Sequence, residues 1–164
     1  MINLVHLVSR KRKLEKSFIQ IFLRQFLMYQ FYRFPMSQQP TILVVDQSLH
    51  DLEFVNSCLK SLNVTCISTK EGARTLVLAK LHKPSIIFLD TTLNDLNSSK
   101  VVKYLRSNVE TSKIPIVGCI PAKTQQNIDR LVISGVNDYI RKPYDVSKIE
   151  ASVNHFLGWE HSCV

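Results

Sequence analysis

The sequence predicts an α/β protein with a doubly wound, five-stranded parallel sheet. Short apolar runs rich in β-branched residues recur from Thr41 onward, and each precedes a segment whose apolar residues recur at helical spacing. Apolar runs without alternation are typical of parallel strands that are buried on both faces. Five such strand–helix units predict a three-layer sandwich, because right-handed crossovers place helices on both sides of the sheet.

The elements alternate regularly along the chain. Ile42–Val45 reads as a buried strand, and residues 49–62 carry leucine and valine at helical spacing, which predicts the first helix. The other predicted strands are Val64–Ser68, Ile86–Leu89, Ile116–Ile120 and Asp138–Ile140, and the other predicted helices are Gly72–Leu81, Ser99–Leu105, Gln125–Ser134 and Val146–Leu157. The sequence therefore predicts one domain over residues 41–158, with a leader over 1–40 and a short tail over 159–164.

The leader differs from the domain in charge and composition. Of the 21 Lys/Arg and 13 acidic residues in the chain, residues 1–35 hold seven and one, and they are rich in Phe and Tyr. A secretory signal is disfavoured because Arg24 and Gln25 interrupt the apolar stretch. Two interpretations stay open: a basic amphipathic helix that contacts an anionic membrane or a partner, or an over-extended gene model, since Met36-Ser37 resembles an ordinary protein start.

The charge balance and the cysteines limit the expected partners. Because most of the net charge of +8 belongs to the leader, the domain carries no basic signature of nucleic-acid binding. The four cysteines, Cys58, Cys66, Cys119 and Cys163, lie far apart and form no zinc-type spacing. Reduced thiols in a cytoplasmic protein are the expectation.

Chemically active side chains follow three of the predicted strands. Asp46 and Gln47 follow the first strand, Asp90 the third and Lys142 the fifth. In an open parallel sheet the carboxyl ends of the strands share one edge, where ligands bind. Each residue alone also fits an ordinary turn or helix cap. Together they predict a site in which two carboxylates and one ammonium converge.

The order and spacing of four blocks resemble the response-regulator receiver domain, the CheY-like phosphoacceptor module of two-component signalling. The resemblance covers residues 41–157 and implies the (βα)5 flavodoxin-like sandwich. The blocks are ILVVDQ at 42–47, SIIFLD at 85–90, PIVGCIPA at 115–122 and GVNDYIRKPYD at 135–145.

The resemblance implies a role for each site residue. Asp90 matches the aspartate that accepts a phosphoryl group from a histidine kinase or phosphotransfer protein, and Lys142 matches the lysine that neutralises phosphate charge. Asp46, Gln47, Asp90 and the Thr92 carbonyl match the positions that hold Mg²⁺. Tyr139 matches the aromatic switch residue on the fifth strand.

Two positions depart from the family pattern. Gln47 stands where the family usually has a second acid, so weaker Mg²⁺ binding is expected. Ile120 stands at the other switch position, where the family has a Thr or Ser hydroxyl that bonds the phosphoryl oxygen. The loop over residues 91–98 also lacks the family's usual glycines and proline.

Two functions therefore remain open. The first is a phosphorylatable receiver, not itself an enzyme, that signals through contacts with a downstream protein and that could form a dimer. The second is a pseudo-receiver that binds partners without phosphoryl chemistry. A nucleotide-binding fold is disfavoured because Gly72, Gly118, Gly135 and Gly158 form no phosphate-binding loop.

Overall fold

The computed structural model describes residues 39–122 and 132–159, and in them the five predicted strands form one parallel sheet. The strand order is β2-β1-β3-β4-β5, so the chain winds to both sides of β1. The strands are β1 (Thr41–Val45), β2 (Thr65–Thr69), β3 (Ile86–Asp90), β4 (Ile116–Ile120) and β5 (Asp138–Arg141). The helices described are α1 (Leu49–Lys60), α2 (Gly72–His82), α3 (Ser98–Ser107) and α4 (Val146–Leu157). The predicted doubly wound fold is confirmed.

Alternation along the strands divides the core into two layers. Ile42 and Val44 of β1 pack on the face that α1 and α4 cover, whereas Leu43 and Val45 pack on the face that α2 and α3 cover. Both sets are almost fully buried, and β3 and β4 are buried along their whole length. The continuous apolar runs in the sequence are thus explained by a sheet with helices on both sides.

The structure shifts several predicted boundaries. β2 begins one residue later than predicted, because Val64 packs into the core and pairing starts at Thr65, whose N–H donates to the carbonyl of Pro40. Helix α1 ends at Lys60 rather than at residue 62, since the Leu62 N–H turns back to the carbonyl of Leu59. The other strands, and the other helices that are described over their whole length, lie within two residues of the prediction.

Part of the prediction lies outside the described residues. Of the predicted helix Gln125–Ser134, the structure describes only residues 132–134, which are helical. The predicted leader over 1–40 is described only from residue 39, and the tail over 159–164 only at Trp159. Among the helices that are described, none has the length and apolar character needed to cross a membrane.

Candidate functional site

Asp46, Asp90 and Lys142 meet at the carboxyl edge of the sheet. Asp46 directly follows β1, and Asp90 is the last residue of the neighbouring β3. The two strands are in register, with Val45 opposite Leu89, so the residues that follow these two lie side by side. Lys142 follows β5, two strands away, and its long side chain extends back towards β3 and β1.

The Lys142 ammonium is held by three carboxylates. Its Nζ lies 2.6 Å from Asp46 Oδ2, 3.1 Å from Asp90 Oδ2 and 3.0 Å from Asp51 Oδ2. An ammonium has three N–H donors, so these partners account for all of them. The predicted convergence of two carboxylates and one ammonium is present, and a third carboxylate joins it.

Burial and charge act in opposite directions on this cluster. Burial alone would lower the pKa of Lys142, but hydrogen bonds to Asp46 and Asp51 and the charge of Asp90 together raise it above its usual range. Burial raises the pKa of Asp46 above its ordinary value, and this outweighs the hydrogen bond from Lys142. Because its own pKa is raised, Lys142 stays protonated and positively charged at neutral pH.

Asp46 is enclosed by donors on both oxygens. The Ser48 N–H donates to Oδ1 at 3.0 Å, and the Tyr144 hydroxyl donates to Oδ2 at 2.8 Å, beside the Lys142 contact. Burial raises the pKa of Tyr144 well above its usual range, so the phenol keeps its proton and stays a donor. These bonds fix the orientation of a carboxylate that is fully buried.

Asp90 is also buried, under a polar cover. Its Oδ1 accepts hydrogen bonds from the N–H and the hydroxyl of Thr92, both at 2.9 Å, and its Oδ2 accepts one from Lys142. Thr92 is itself exposed, and the Lys142 side chain is 17% exposed. Asp90 therefore has no free surface of its own, but the groups in contact with its oxygens are polar side chains at the rim.

Gln47 brings an uncommitted oxygen to the same rim. Its Nε2 donates weakly to the Thr92 hydroxyl at 3.5 Å, while its buried Oε1 has no hydrogen-bond partner among the described residues. Mg²⁺ binds oxygen atoms, usually those of one or two carboxylates together with several waters, and carbonyl oxygens also suit it. Asp46, Asp90 and Gln47 therefore bring oxygen atoms to one rim beside Thr92, but within the described ranges no three Asp, Glu, His or Cys side chains are arranged so that they could hold a metal ion by themselves.

Neither predicted switch residue places its side chain among the hydrogen bonds described above. Ile120 ends β4 and is 1% exposed, and its carbonyl accepts the N–H of Lys142 at 2.8 Å. Tyr139 lies on β5 opposite Gly118 and is 40% exposed, with the Arg141 guanidinium 6.0 Å from its ring centre. Ile120 thus contributes a backbone contact but no polar side chain to the site.

The loop after Asp90 is anchored by a carboxylate. The two oxygens of Asp95 accept the N–H groups of Gly72 and Ala73 at 2.9 Å each, at the start of α2. These bonds hold the pKa of Asp95 below its ordinary value. A Cβ on Gly72 would lie 3.1 Å from Leu93 and 3.2 Å from the Leu96 carbonyl, so glycine permits the close approach. The loop is held without the family's usual glycines.

Sequence reasoning missed Asp51 and Tyr144. Asp51 is the fourth residue of the pattern Ser48-Leu49-His50-Asp51, which ordinarily indicates the start of a helix. Tyr144 stands two residues after Lys142, within a block already noted, where an aromatic residue gives no sign of its hydrogen bond. Pairings across 91 and 98 residues become visible only in the folded chain.

Comparison with known proteins shows which family the chain matches. The model of the response regulator receiver domain family matches residues 42–154. Among curated proteins, the polar-differentiation response regulator DivK of Brucella anthropi is 23% identical over 118 residues, covering 72% of this chain and 96% of that protein.

Solved structures show the same fold at low identity. A two-component response regulator from Clostridium difficile has a TM-score of 0.68 at 22% identity, covering 76% of this chain and all of that one. The receiver domain of a sensor histidine kinase from Pseudomonas aeruginosa has a TM-score of 0.69 at 19% identity, covering 73% of this chain and 98% of that one. That structure has a magnesium ion coordinated in its active-site cleft.

Proposed function

The chain belongs to the response regulator receiver domain family of two-component signalling, and on that basis we propose that Asp90 accepts a phosphoryl group from a histidine kinase or a phosphotransfer protein. The observation that carries the proposal is the contact between the Asp90 carboxylate and the Lys142 ammonium, 3.1 Å apart. A carboxylate nucleophile needs a cation beside it when the incoming group is a dianion.

The transfer is a displacement at phosphorus. A carboxylate oxygen of Asp90 forms a bond to phosphorus while the bond from phosphorus to the donor's imidazole nitrogen breaks, and the imidazole leaves with the electron pair. Lys142 stays protonated throughout and neutralises charge on the transferred oxygens. A Mg²⁺ held by Asp46, Asp90, Gln47 and the Thr92 carbonyl would supply further charge neutralisation.

Access to Asp90 requires a local rearrangement. Thr92 and Lys142 contact both of its oxygens, so a donor has to displace the hydroxyl of Thr92 or draw the ammonium outward. Both are side-chain movements at the rim, and neither disturbs the buried strand. The burial of Asp90 is therefore compatible with phosphorylation.

No competing nucleophile is favoured at this edge. Cys119 of β4 is fully buried, and burial raises the pKa of its thiol to about 12, which leaves it protonated. We place the protein in the cytoplasm as a signalling module rather than an enzyme, acting on a downstream protein through its surface. The described cysteines, Cys58, Cys66 and Cys119, are unpaired, in keeping with a reducing compartment.

A second candidate function is supported by Ile120. A buried alkyl group at the end of β4 offers no hydroxyl to a phosphoryl oxygen, so phosphorylation would be poorly coupled to that loop. In that case the chain is a pseudo-receiver that binds partners through its fold alone. The neutral Gln47 favours the same alternative.

Intact-mass measurement after incubation with acetyl phosphate and Mg²⁺ separates the two functions. We expect one phosphoryl adduct at low yield on the wild-type protein and none on Asp90→Asn. Asp138→Asn is the matched control, because Asp138 is an exposed carboxylate at the opposite end of β5. No adduct under conditions that saturate an ordinary receiver would establish the pseudo-receiver instead.

A further inference from the structure

Asp51 lies at the start of α1 but does not complete the helix cap that its sequence pattern indicates. In a capping box, the acid three residues after the N-cap bonds back to the N-cap N–H. Here the Asp51 N–H bonds the Ser48 hydroxyl as expected, but the Ser48 N–H is already bonded to Asp46 Oδ1. The Asp51 carboxylate is therefore released from its local role.

The released carboxylate binds the site lysine instead. Asp51 Oδ2 accepts a hydrogen bond from Lys142 Nζ at 3.0 Å, across 91 residues of sequence. Its other oxygen lies 3.5 Å from Nδ1 of His50, an imidazole whose side chain is 89% exposed. The Lys142 contact is both shorter and better shielded from water, so it is the stronger of the two.

Asp51 is also the outermost of the three carboxylates. Its side chain is 27% exposed, against 0% for Asp46 and 1% for Asp90. A lysine that gives up Asp46 and Asp90 to an incoming cation or phosphoryl group can thus keep Asp51 as its partner. Without that partner, the ammonium would be left unpaired at a partly buried position, and an unpaired buried charge lowers the stability of the folded protein.

We propose that Asp51 performs the part of the second acid that Gln47 cannot: it positions Lys142 and adds the negative charge that draws a divalent cation to the site. The inference rests on the proposed role of Asp90 and Lys142, and it assigns Asp51 as a positioning residue. Asp51 supplies this carboxylate from the first turn of α1 rather than from the end of β1, and it brings the number of acids in contact with the lysine to three.

Magnesium titration by calorimetry tests this assignment. Asp51→Asn should weaken Mg²⁺ binding about tenfold, the size expected for removing one charge near a divalent ion at a wet rim. Glu53→Gln, which removes an exposed acid from the same helix, should leave the affinity unchanged. The double variant Gln47→Asp/Asp51→Asn should recover most of the loss, because the charge returns to the rim.

A second measurement reports on the lysine directly. The ¹⁵N chemical shift of the Lys142 ammonium should change in Asp51→Asn, stay unchanged in Glu53→Gln and return towards the wild-type value in Asp51→Glu. Should Asp51→Asn fail to fold, Asp51→Ser in the wild-type background, with Glu53→Ser as its control, provides the same comparison. A wild-type protein that binds no Mg²⁺, or an Asp51→Asn variant that matches Glu53→Gln in both measurements, would overturn the assignment.

The phosphodonor experiment keeps this inference separate from the proposed function. An adduct on Asp90 together with no effect of Asp51→Asn on Mg²⁺ affinity or on the ammonium shift rejects the role of Asp51 alone. Absence of any adduct, with Mg²⁺ affinity still dependent on Asp51, rejects phosphoryl transfer and retains Asp51 as the residue that positions the lysine.

Discussion

The carboxyl edge of the sheet has two unequal parts. Around the ends of β1, β3 and β5 and the first turn of α1, three carboxylates, one ammonium and one phenol are joined by contacts of 2.6–3.1 Å. At the end of β4, between β3 and β5, the side chain is Ile120, buried and apolar. Neighbouring strands of one sheet thus end in groups of opposite character.

This difference separates two tasks that a receiver combines. Accepting a phosphoryl group requires a nucleophile with a positive charge beside it, and under the proposed function Asp90 and Lys142 supply these two groups. Reporting the phosphoryl group to the surface requires a side chain at β4 that binds it, and Ile120 has no such group. We therefore expect phosphorylation to be retained more fully than its structural consequences.

The largest expected effect comes from removing the ammonium. Lys142→Met leaves Asp46 and Asp90 buried without their cation, which should lower the free energy of unfolding by about 3 kcal/mol at neutral pH. Lys148→Met, at an exposed position of α4, should change it little. Urea unfolding at pH 7 measures both.

The free energy of unfolding of Lys142→Met should depend on pH in a direction set by its buried carboxyl groups. Burial without the Lys142 cation raises the pKa of Asp46 further above its ordinary value in the folded state, so that state binds more protons than the unfolded one. The loss of unfolding free energy should therefore shrink as pH falls. In the wild type the raised pKa of Lys142 stabilises the fold at neutral pH, and this contribution should be lost as pH rises above the ordinary lysine value. Equal stability of the two Met variants at pH 7 would contradict the account of the cluster.

A hydroxyl at the end of β4 should restore the missing contact. Ile120→Thr is expected to lengthen the lifetime of the phosphoryl adduct about tenfold, since a hydrogen bond to a charged group contributes about 1.5 kcal/mol or more. Ile120→Val has nearly the same shape as the Thr variant but no hydroxyl, and so controls for the smaller side chain. The decay of the adduct, followed by intact mass, is the measurement. Equal lifetimes for Thr and Val would mean that this position does not face the phosphoryl group.

The smallest expected effect is that of a charge at position 47. Gln47→Asp adds a carboxylate beside Asp46 and should tighten Mg²⁺ binding about fivefold. This gain is smaller than the loss expected for Asp51→Asn, because Asp51 already supplies part of the negative charge. Gln47→Asn is the matched neutral variant. A thermal-shift titration with Mg²⁺ compares them. If Gln47→Asp binds no better than Gln47→Asn, the buried oxygen of Gln47 does not face the cation.

Patterns that depend on neighbouring residues predicted the sheet and half of the site. Apolar runs such as Ile42–Val45 and Ile86–Leu89 located the strands, and the rule that parallel strands share a carboxyl edge brought Asp46, Asp90 and Lys142 together. β2 was less well placed because it lies at the sheet edge and is partly polar.

The remaining half of the site depends on contacts that no local pattern encodes. Asp51 matches a helix-cap pattern, and only the capture of the Ser48 N–H by Asp46 frees its carboxylate for Lys142. Tyr144 is an ordinary aromatic residue by sequence, and its bond to Asp46 follows from the path of the chain after β5. Such long-range pairings are set by the fold as a whole.

Chemical mapping of the phosphoryl group tests the central claim most directly. Borohydride reduces an aspartyl phosphate to homoserine, and peptide mass spectrometry then identifies the modified position. After acetyl phosphate and Mg²⁺, the account predicts homoserine at position 90 and at no other acidic residue. Homoserine at position 46 or 51 instead, or at no position, would contradict it.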